Sequence, residues 1–388
     1  MGKKFDIISK IFIILLVICA IASAIFLYRK FTNKETMEIK TSNSKNVFSK
    51  DINWNYDEYT TYYELWSKDN KSYFVGKNKN DAEWNEILEF DGHPVYLGNY
   101  NGKFYFDDDV EYNLFYIDSK EEKPSVQYIL RGNKFDSSDA NHLRYAYIYG
   151  DKLYYQIWEN ENKNYILTMS LTDDNINNSD KFLDVSNYYH WYMDTEKGKI
   201  YLVGDYGRIG IEEYDVNTKE RKTLVDESMY YQLVEEAFGD GGFANGFLTF
   251  KNKNANDSVT YYVYDILEDK VYNLQELEQD DYFGPKVVRH NGYIYFCRNS
   301  ELYIIKNGEY KLLYTFNFDE NIVKTFNRLG DNSFYISDGN FDGKYYSIID
   351  EEVKEIQESD IKDDILKIKA TDGRTIELKN AYESSIFN

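Results

Sequence analysis

The sequence predicts an all-β fold: a β-propeller of about seven four-stranded blades, with six or eight as alternatives, preceded by one N-terminal transmembrane helix. Three observations lead there. A strand–turn–strand phrase recurs along most of the chain, with anchor residues mostly 47 apart. Aromatic residues make up 18% of the 388 residues, with 40 Tyr and 24 Phe, enough to fill sheet-to-sheet gaps. One charge-free run of 18 residues, Ile11 to Tyr28, stands near the N-terminus.

That run comes first. At the helical rise it reaches about 27 Å, the thickness of the hydrocarbon core. Lys3, Lys4 and Lys10 precede it and Arg29-Lys30 follow it. A basic head of residues 1–10 before an apolar run is the layout of an export signal, so the head is expected in the cytoplasm and the remainder outside. Ala22-Ser23-Ala24 offers a cleavage pattern, yet Ile25, Phe26 and Leu27 carry the apolar run onward, which favours a retained signal-anchor over 11–28. Ile18 before Cys19 suits a lipobox poorly. Residues 29–49 read as a polar linker, 50–380 as the extracellular propeller and 381–388 as a C-terminal tail.

The repeat justifies the propeller. Gly102-Lys103-Phe104-Tyr105-Phe106 returns as Asp151-Lys152-Leu153-Tyr154-Tyr155, Gly198-Lys199-Ile200-Tyr201-Leu202, Gly246-Phe247-Leu248-Thr249-Phe250, Gly292-Tyr293-Ile294-Tyr295-Phe296 and Asn332-Ser333-Phe334-Tyr335-Ile336. The anchor residues Tyr105, Tyr154, Tyr201, Leu248, Tyr295 and Tyr335 are spaced 49, 47, 47, 47 and 40 apart, and a weaker copy is expected at Tyr62-Tyr63. A second strand follows each phrase, as at Leu302-Tyr303-Ile304-Ile305, and a third cluster follows that, as at Lys311-Leu312-Leu313-Tyr314. The segment before each anchor is also extended, so each unit holds four short strands parted by Gly, Asn and Asp turns. A single such unit cannot bury both faces; neighbours stacked in a ring can. A last hairpin, Ile365 to Lys369 and Thr375 to Leu378, either closes the ring on the first blade or belongs to an eighth.

Charge narrows the partners. The chain carries 45 Lys+Arg against 67 Asp+Glu, a net charge of −22. The first 30 residues hold five basic residues and one acid, so removing their +4 leaves −26 on the exposed part. Nucleic acid is therefore not expected as a partner, because clustered Lys and Arg supply most phosphate binding. Cys297 is the sole cysteine beyond the apolar run, so the exposed part forms no internal disulfide.

The phrase Asn291-Gly292-Tyr293-Ile294-Tyr295-Phe296, with Leu302-Tyr303-Ile304-Ile305, resembles the blade motif of uncharacterised bacterial exported or membrane-anchored proteins whose propeller is similar to that of low-density-lipoprotein-receptor-related proteins. It covers roughly residues 90 to 350. The resemblance implies a propeller and no named enzymatic activity. The receptor-type Tyr-Trp-Thr-Asp tetrapeptide is absent.

Catalytic signatures are missing: no His-Glu-x-x-His, Gly-x-Ser-x-Gly, phosphate loop or Cys-x-x-Cys occurs. Gly239 to Ala244 loosely matches a dinucleotide loop without the required βαβ setting, and His93, His142, His190 and His290 share no ligand spacing, so ordinary surface or turn positions are expected for them. Two sets remain. Asp338, Asn340 and Asp342 open a D-x-N-x-D-G calcium loop, but its closing Glu is replaced by Ile349; calcium is the one cofactor considered, against a plain polar turn. Arg144, Trp191, Arg289 and Arg328 fall on strands preceding the anchors, which line a propeller channel, and offer donors and a stacking face to an anion or sugar; salt bridges with the plentiful acids are the competing expectation. Their offsets of 10, 6 and 7 residues from the anchors put the three arginines out of a common register. Acid runs such as Asp107-Asp108-Asp109 and Glu235-Glu236 read as solvated loops.

The expectation is a single-pass, membrane-anchored extracellular propeller that binds or scaffolds an envelope protein, a peptide or a wall glycan, and is not an enzyme. The alternative is a surface polysaccharide hydrolase, which needs two carboxylates about 5 to 10 Å apart.

Overall fold

The computed structural model describes residues 62–383 except 69–70, 79–82, 92–93, 109–112, 122–123, 131–141, 159–162, 174, 205–208, 231, 234–245, 254–257, 278–284, 319–322, 330–331, 339–342, 361–364, 371–372 and 380–381. The expected anchor and linker lie outside these residues. Among the described residues no helix is long and apolar enough to cross a membrane, and the helical pieces are two 3-10 turns, Ile176–Asn178 and Glu358–Asp360.

Everything else regular is strand. Seven sheets of the described residues follow one another along the chain. Six have four antiparallel strands in simple up-and-down order, as in the sixth sheet: Lys286–His290, Tyr293–Arg298, Glu301–Lys306 and Glu309–Thr315. The sequence dictates this locally. Tyr, Phe, Ile and Val favour a pleated, half-buried surface, and Asn-Gly pairs supply tight hairpins. Asn101 and Gly102 take φ of 52° and 84°, and Asn291 and Gly292 take 48° and 80°, the left-handed pair that a two-residue hairpin of matching twist requires. A further mark repeats. In sheets two to five the residue just after the third strand donates its N–H to the turn before the second: Ser119 to Gly102, Leu171 to Asp151, Val216 to Gly198 and Ile266 to Gly246, each at 2.9 Å.

Successive sheets stack face to face in a propeller-type array. Side chains on a strand alternate sides, and both sides are buried here. In Tyr293–Arg298, Ile294 and Phe296 pack into a cluster with Val263 and Leu274 of the fifth sheet, while Tyr295 and Cys297 pack with Phe334 and Ile336 of the seventh. Comparable clusters join the second sheet to the third through Tyr105 and Tyr155, and the third to the fourth through Tyr154 and Trp191. The tyrosine excess is thus largely spent on wedging sheets apart and together.

The first sheet corrects the reading of its own repeat. Tyr62 and Tyr63 lie on its first strand, Tyr62–Lys68, whereas the position matching the other anchors is on Lys71–Lys77. The aromatic pair misled because this strand is as Tyr-rich as an anchor strand. This sheet has three strands of local origin and gains three from the C-terminal segment, making six: Ile365–Lys369 runs parallel to Trp84–Asp91, with Ile368 opposite Trp84, and Thr375–Lys379 pairs antiparallel with Ile365–Lys369. Ile368 is fully buried beside Val75 and Trp84. Of the two roles expected for this hairpin, pairing with the first sheet is the one found. Tyr382–Glu383, placed by the sequence in a tail, is a strand pairing with Trp66 and Ser67 on the other edge of that sheet.

Candidate binding surface on the first strands

Sheets two to seven each present their first strand as an edge, whereas in the first sheet Tyr382–Glu383 covers Tyr62–Lys68; such edges run side by side in neighbouring sheets, as Pro94–Tyr100 does with His142–Tyr149 and Lys286–His290 with Thr325–Arg328. In sheets two to seven the first strands are Pro94–Tyr100, His142–Tyr149, Tyr188–Asp194, Gln232–Leu233, Lys286–His290 and Thr325–Arg328. Three of them carry a β-bulge, with Leu97, Arg144 and Tyr189 as the extra residues. A bulge locally re-aims the chain and is common beside functional surfaces.

Pairing with the second strands sets a common level. Tyr147, Tyr192 and Val288 lie opposite the anchors Tyr154, Tyr201 and Tyr295. Two residues earlier on each strand come Tyr145, His190 and Lys286. The agreement is physical for the first two: the Tyr145 hydroxyl is 2.5 Å from His190 Nδ1 across two sheets, and His190 stacks on Tyr192 with ring centroids 6.3 Å apart. All three are half-buried. Burial lowers the pKa of the Lys286 ammonium from its ordinary value, because a cation loses hydration there.

The four residues expected to line a channel fare differently. Trp191 is 1% exposed; its indole N–H donates to Gln156 Oε1 at 3.0 Å, and Tyr145 and Tyr147 meet its ring edge-on. It joins sheet to sheet and presents no stacking face to solvent. Arg289 is 10% exposed and bonds Asp265 Oδ1 of the fifth sheet at 2.6 Å, with further bonds to the carbonyls of Gly292 at 3.1 Å and Gly246 at 3.3 Å. The competing expectation of a salt bridge therefore describes it. Arg328 is exposed at the end of its strand. The expectation that these arginines lack a common register is corrected for this pair: Arg289 faces Ile294 and Arg328 faces Phe334, each one residue before an anchor. The unequal offsets arise because the two hairpin turns differ in length. Arg144 is the bulge residue of its strand.

Asp338 is buried at 5% exposure just after Ser333–Ser337, and Asn340 and Asp342 lie outside the described residues. Among the described residues no group of three or more His, Cys, Asp or Glu side chains converges as a metal site. Two other expectations are corrected. Asp108 is no solvated loop charge: it is 5% exposed and accepts from Asn113 Nδ2 at 3.3 Å. His290 is no surface histidine, being buried against Tyr295 and Phe334. Glu235, Glu236 and the loop from Gly239 to Ala244 lie outside the described residues.

Sequence reasoning missed Tyr145, His190 and Lys286. One signal was available: three of the chain's four His fall on strands just before anchors. It also missed a triangle in the fourth sheet, where Tyr188 donates to Glu212 Oε2 at 2.5 Å and accepts from Arg221 Nη1 at 3.2 Å. Burial, then the hydrogen bond to Glu212, pushes the Tyr188 pKa far above its ordinary value. The hydroxyl therefore stays protonated at neutral pH and acts as a strut between Glu212 and Arg221.

No family model matches the chain, and no curated protein is similar to it. Solved structures are similar in outline only. A hypothetical selenium-binding protein from Sulfolobus tokodaii has 11% identity over 82% of this chain and 91% of its own, with a TM-score of 0.37. A catalytically inactive virginiamycin B lyase from Staphylococcus aureus, solved with quinupristin, has 12% identity over 76% and 92%, with a TM-score of 0.31. The C-terminal WD40 domain of Sif2 has 9% identity over 71% and 73%, with a TM-score of 0.33. At these values the likenesses bear on neither ligand nor activity.

Proposed function

We propose that this chain is a seven-bladed propeller tethered by residues 11–28 to the outer side of a membrane, where it binds an envelope component without catalysing a reaction. One observation carries the ring: the C-terminal hairpin pairs with the first sheet, so the last described strands return to the first described sheet. A linear stack has no reason to do so, whereas a ring needs some such clasp. In a ring, the first strands surround a common axis and form one continuous wall. Tyr145, His190 and Lys286 sit on that wall at one level, half-buried and able to meet a ligand. The buried aromatics and ion pairs between sheets hold the wall rigid, which reduces the ordering cost of binding.

Two measurements test the reading. Protease added to intact cells should cleave the chain beyond residue 49 and leave residues 1–28 with the membrane; protection of the whole chain would remove the external placement. The full chain in detergent should retain envelope protein or wall glycan better than a variant carrying Lys286→Glu and His190→Asp. Equal retention by parent and variant would remove the wall as the binding surface.

A further inference from the structure

The inner wall has the wrong charge for this protein. With 67 Asp+Glu against 45 Lys+Arg, acids outnumber bases over the chain as a whole. Along the first strands of sheets two to seven, the balance inverts. They contain Arg144, Lys286, Arg289, Arg328, His142, His190 and His290 against one acid, Asp194. Asp194 lies at the far end of its strand, where its carboxylate caps the following turn through the N–H groups of Glu196 and Lys197. Arg289 is neutralised by Asp265. His190 and Lys286 lie at a common level with Tyr145.

We propose that this wall binds an anionic glycan, a sugar chain bearing carboxylate or phosphate groups, with Lys286 and His190 meeting the anionic groups and the Tyr145 ring meeting sugar. The proposal rests on the ring reading above, because only a ring brings these strands to one axis. Three physical arguments support it. A poorly hydrated ammonium such as Lys286 gains more from an anion than a solvated one does, since the surrounding dielectric is low. A half-buried tyrosine beside donors suits a sugar, which has apolar faces and polar edges. The acidic exterior disfavours loose adsorption of polyanions, yet its repulsion fades beyond about 8 Å at physiological salt, so an anionic chain that reaches the wall is held there by short-range contacts.

The full chain in detergent micelles would be titrated calorimetrically with oligogalacturonate, with an oligomer of glycerol phosphate, and with neutral malto-oligosaccharide. At least one anionic probe should bind, and the one that binds separates carboxylate from phosphate. Lys286→Ala and His190→Ala should each weaken that binding about tenfold, the effect of losing one charge-assisted contact. Lys354→Ala, at an exposed lysine on the outer edge of the seventh sheet that pairs with Glu352 at 3.0 Å, should leave it unchanged. Melting curves and circular dichroism check folding, and Lys286→Gln keeps the bulk if Lys286→Ala does not fold. Anionic binding untouched by both wall variants overturns the proposal, as does equal binding of the neutral probe. Neutral binding that Lys286→Ala abolishes would remove the anionic class and leave the binding-module reading standing. Absence of binding to every probe, together with equal envelope retention by parent and wall variant, would remove both.

Discussion

Arg289 reaches out of the sixth sheet to hold Asp265 of the fifth at 2.6 Å, and the same carboxylate accepts the N–H of Leu267 at 3.0 Å. One side chain therefore both pins two sheets together and shapes a hairpin.

Both partners of that pair are largely buried, so removing either strands the other's charge. Arg289→Ala and Asp265→Ala should each destabilise the fold by about 3–5 kcal/mol. The double variant should be less destabilised than the sum of the two, because neither charge is then left alone. Urea unfolding of the four species measures the coupling; strict additivity would show that the pair acts only through packing.

Glu351, in the turn before the last strand of the seventh sheet, pairs with both Lys306 and Lys311 of the sixth. Its hydrogen bonds to these lysines hold its pKa down to about 2. A folded-state pKa below the unfolded one means that the stabilisation is present above the unfolded value and is lost as pH falls toward the folded one. The melting temperature of the parent should exceed that of Glu351→Gln at neutral pH, and the gap should narrow between about pH 4.5 and 2. A gap that stays constant across that range would show that the ion pairs contribute nothing.

Trp191 joins the third and fourth sheets. Trp191→Phe keeps most of the packing but leaves Gln156 Oε1 without the indole donor, an expected cost of about 1–3 kcal/mol. Trp191→Ala should cost about 3–5 kcal/mol, since a cavity opens as well. Equal stability of the two variants would place the whole effect in the hydrogen bond.

Ile368 is fully buried in the clasp. Ile368→Asp should expose Trp84 and detach the C-terminal hairpin, seen as a red shift of tryptophan emission and a broader unfolding transition. A variant with unchanged emission and a sharp transition would show that the clasp does not hold the ends together.

Cys297 lies between the sixth and seventh sheets, and burial pushes its thiol pKa up. In a Cys19→Ser background the native protein should resist thiol reagents and react fully once unfolded. Rapid reaction of the native state would mean that the two sheets part on the timescale of the assay.

Much of this architecture was legible beforehand. Gly292-Tyr293-Ile294-Tyr295-Phe296 names its own turn and strand, and apolar residues on consecutive positions announce a strand buried on both sides. The first sheet was harder to read, because Tyr62 and Tyr63 look like an anchor while lying one strand early. Arg289 and Arg328 looked unrelated for a similar reason: a difference in turn length altered their spacing to the anchors and hid their shared register. Asp108 and His290 looked like surface residues because neither type is usually buried, and only their partners show otherwise.

Local pattern, then, was enough to determine strands, hairpins, their repetition and the tyrosine-filled gaps between them, since each depends on residues a few positions apart. The tertiary structure decided what meets across sheets: Tyr145 with His190, Arg289 with Asp265, Ile368 with Trp84. Those meetings depend on bulges, turn lengths and stacking order, which act over tens of residues and leave no periodic trace in the chain.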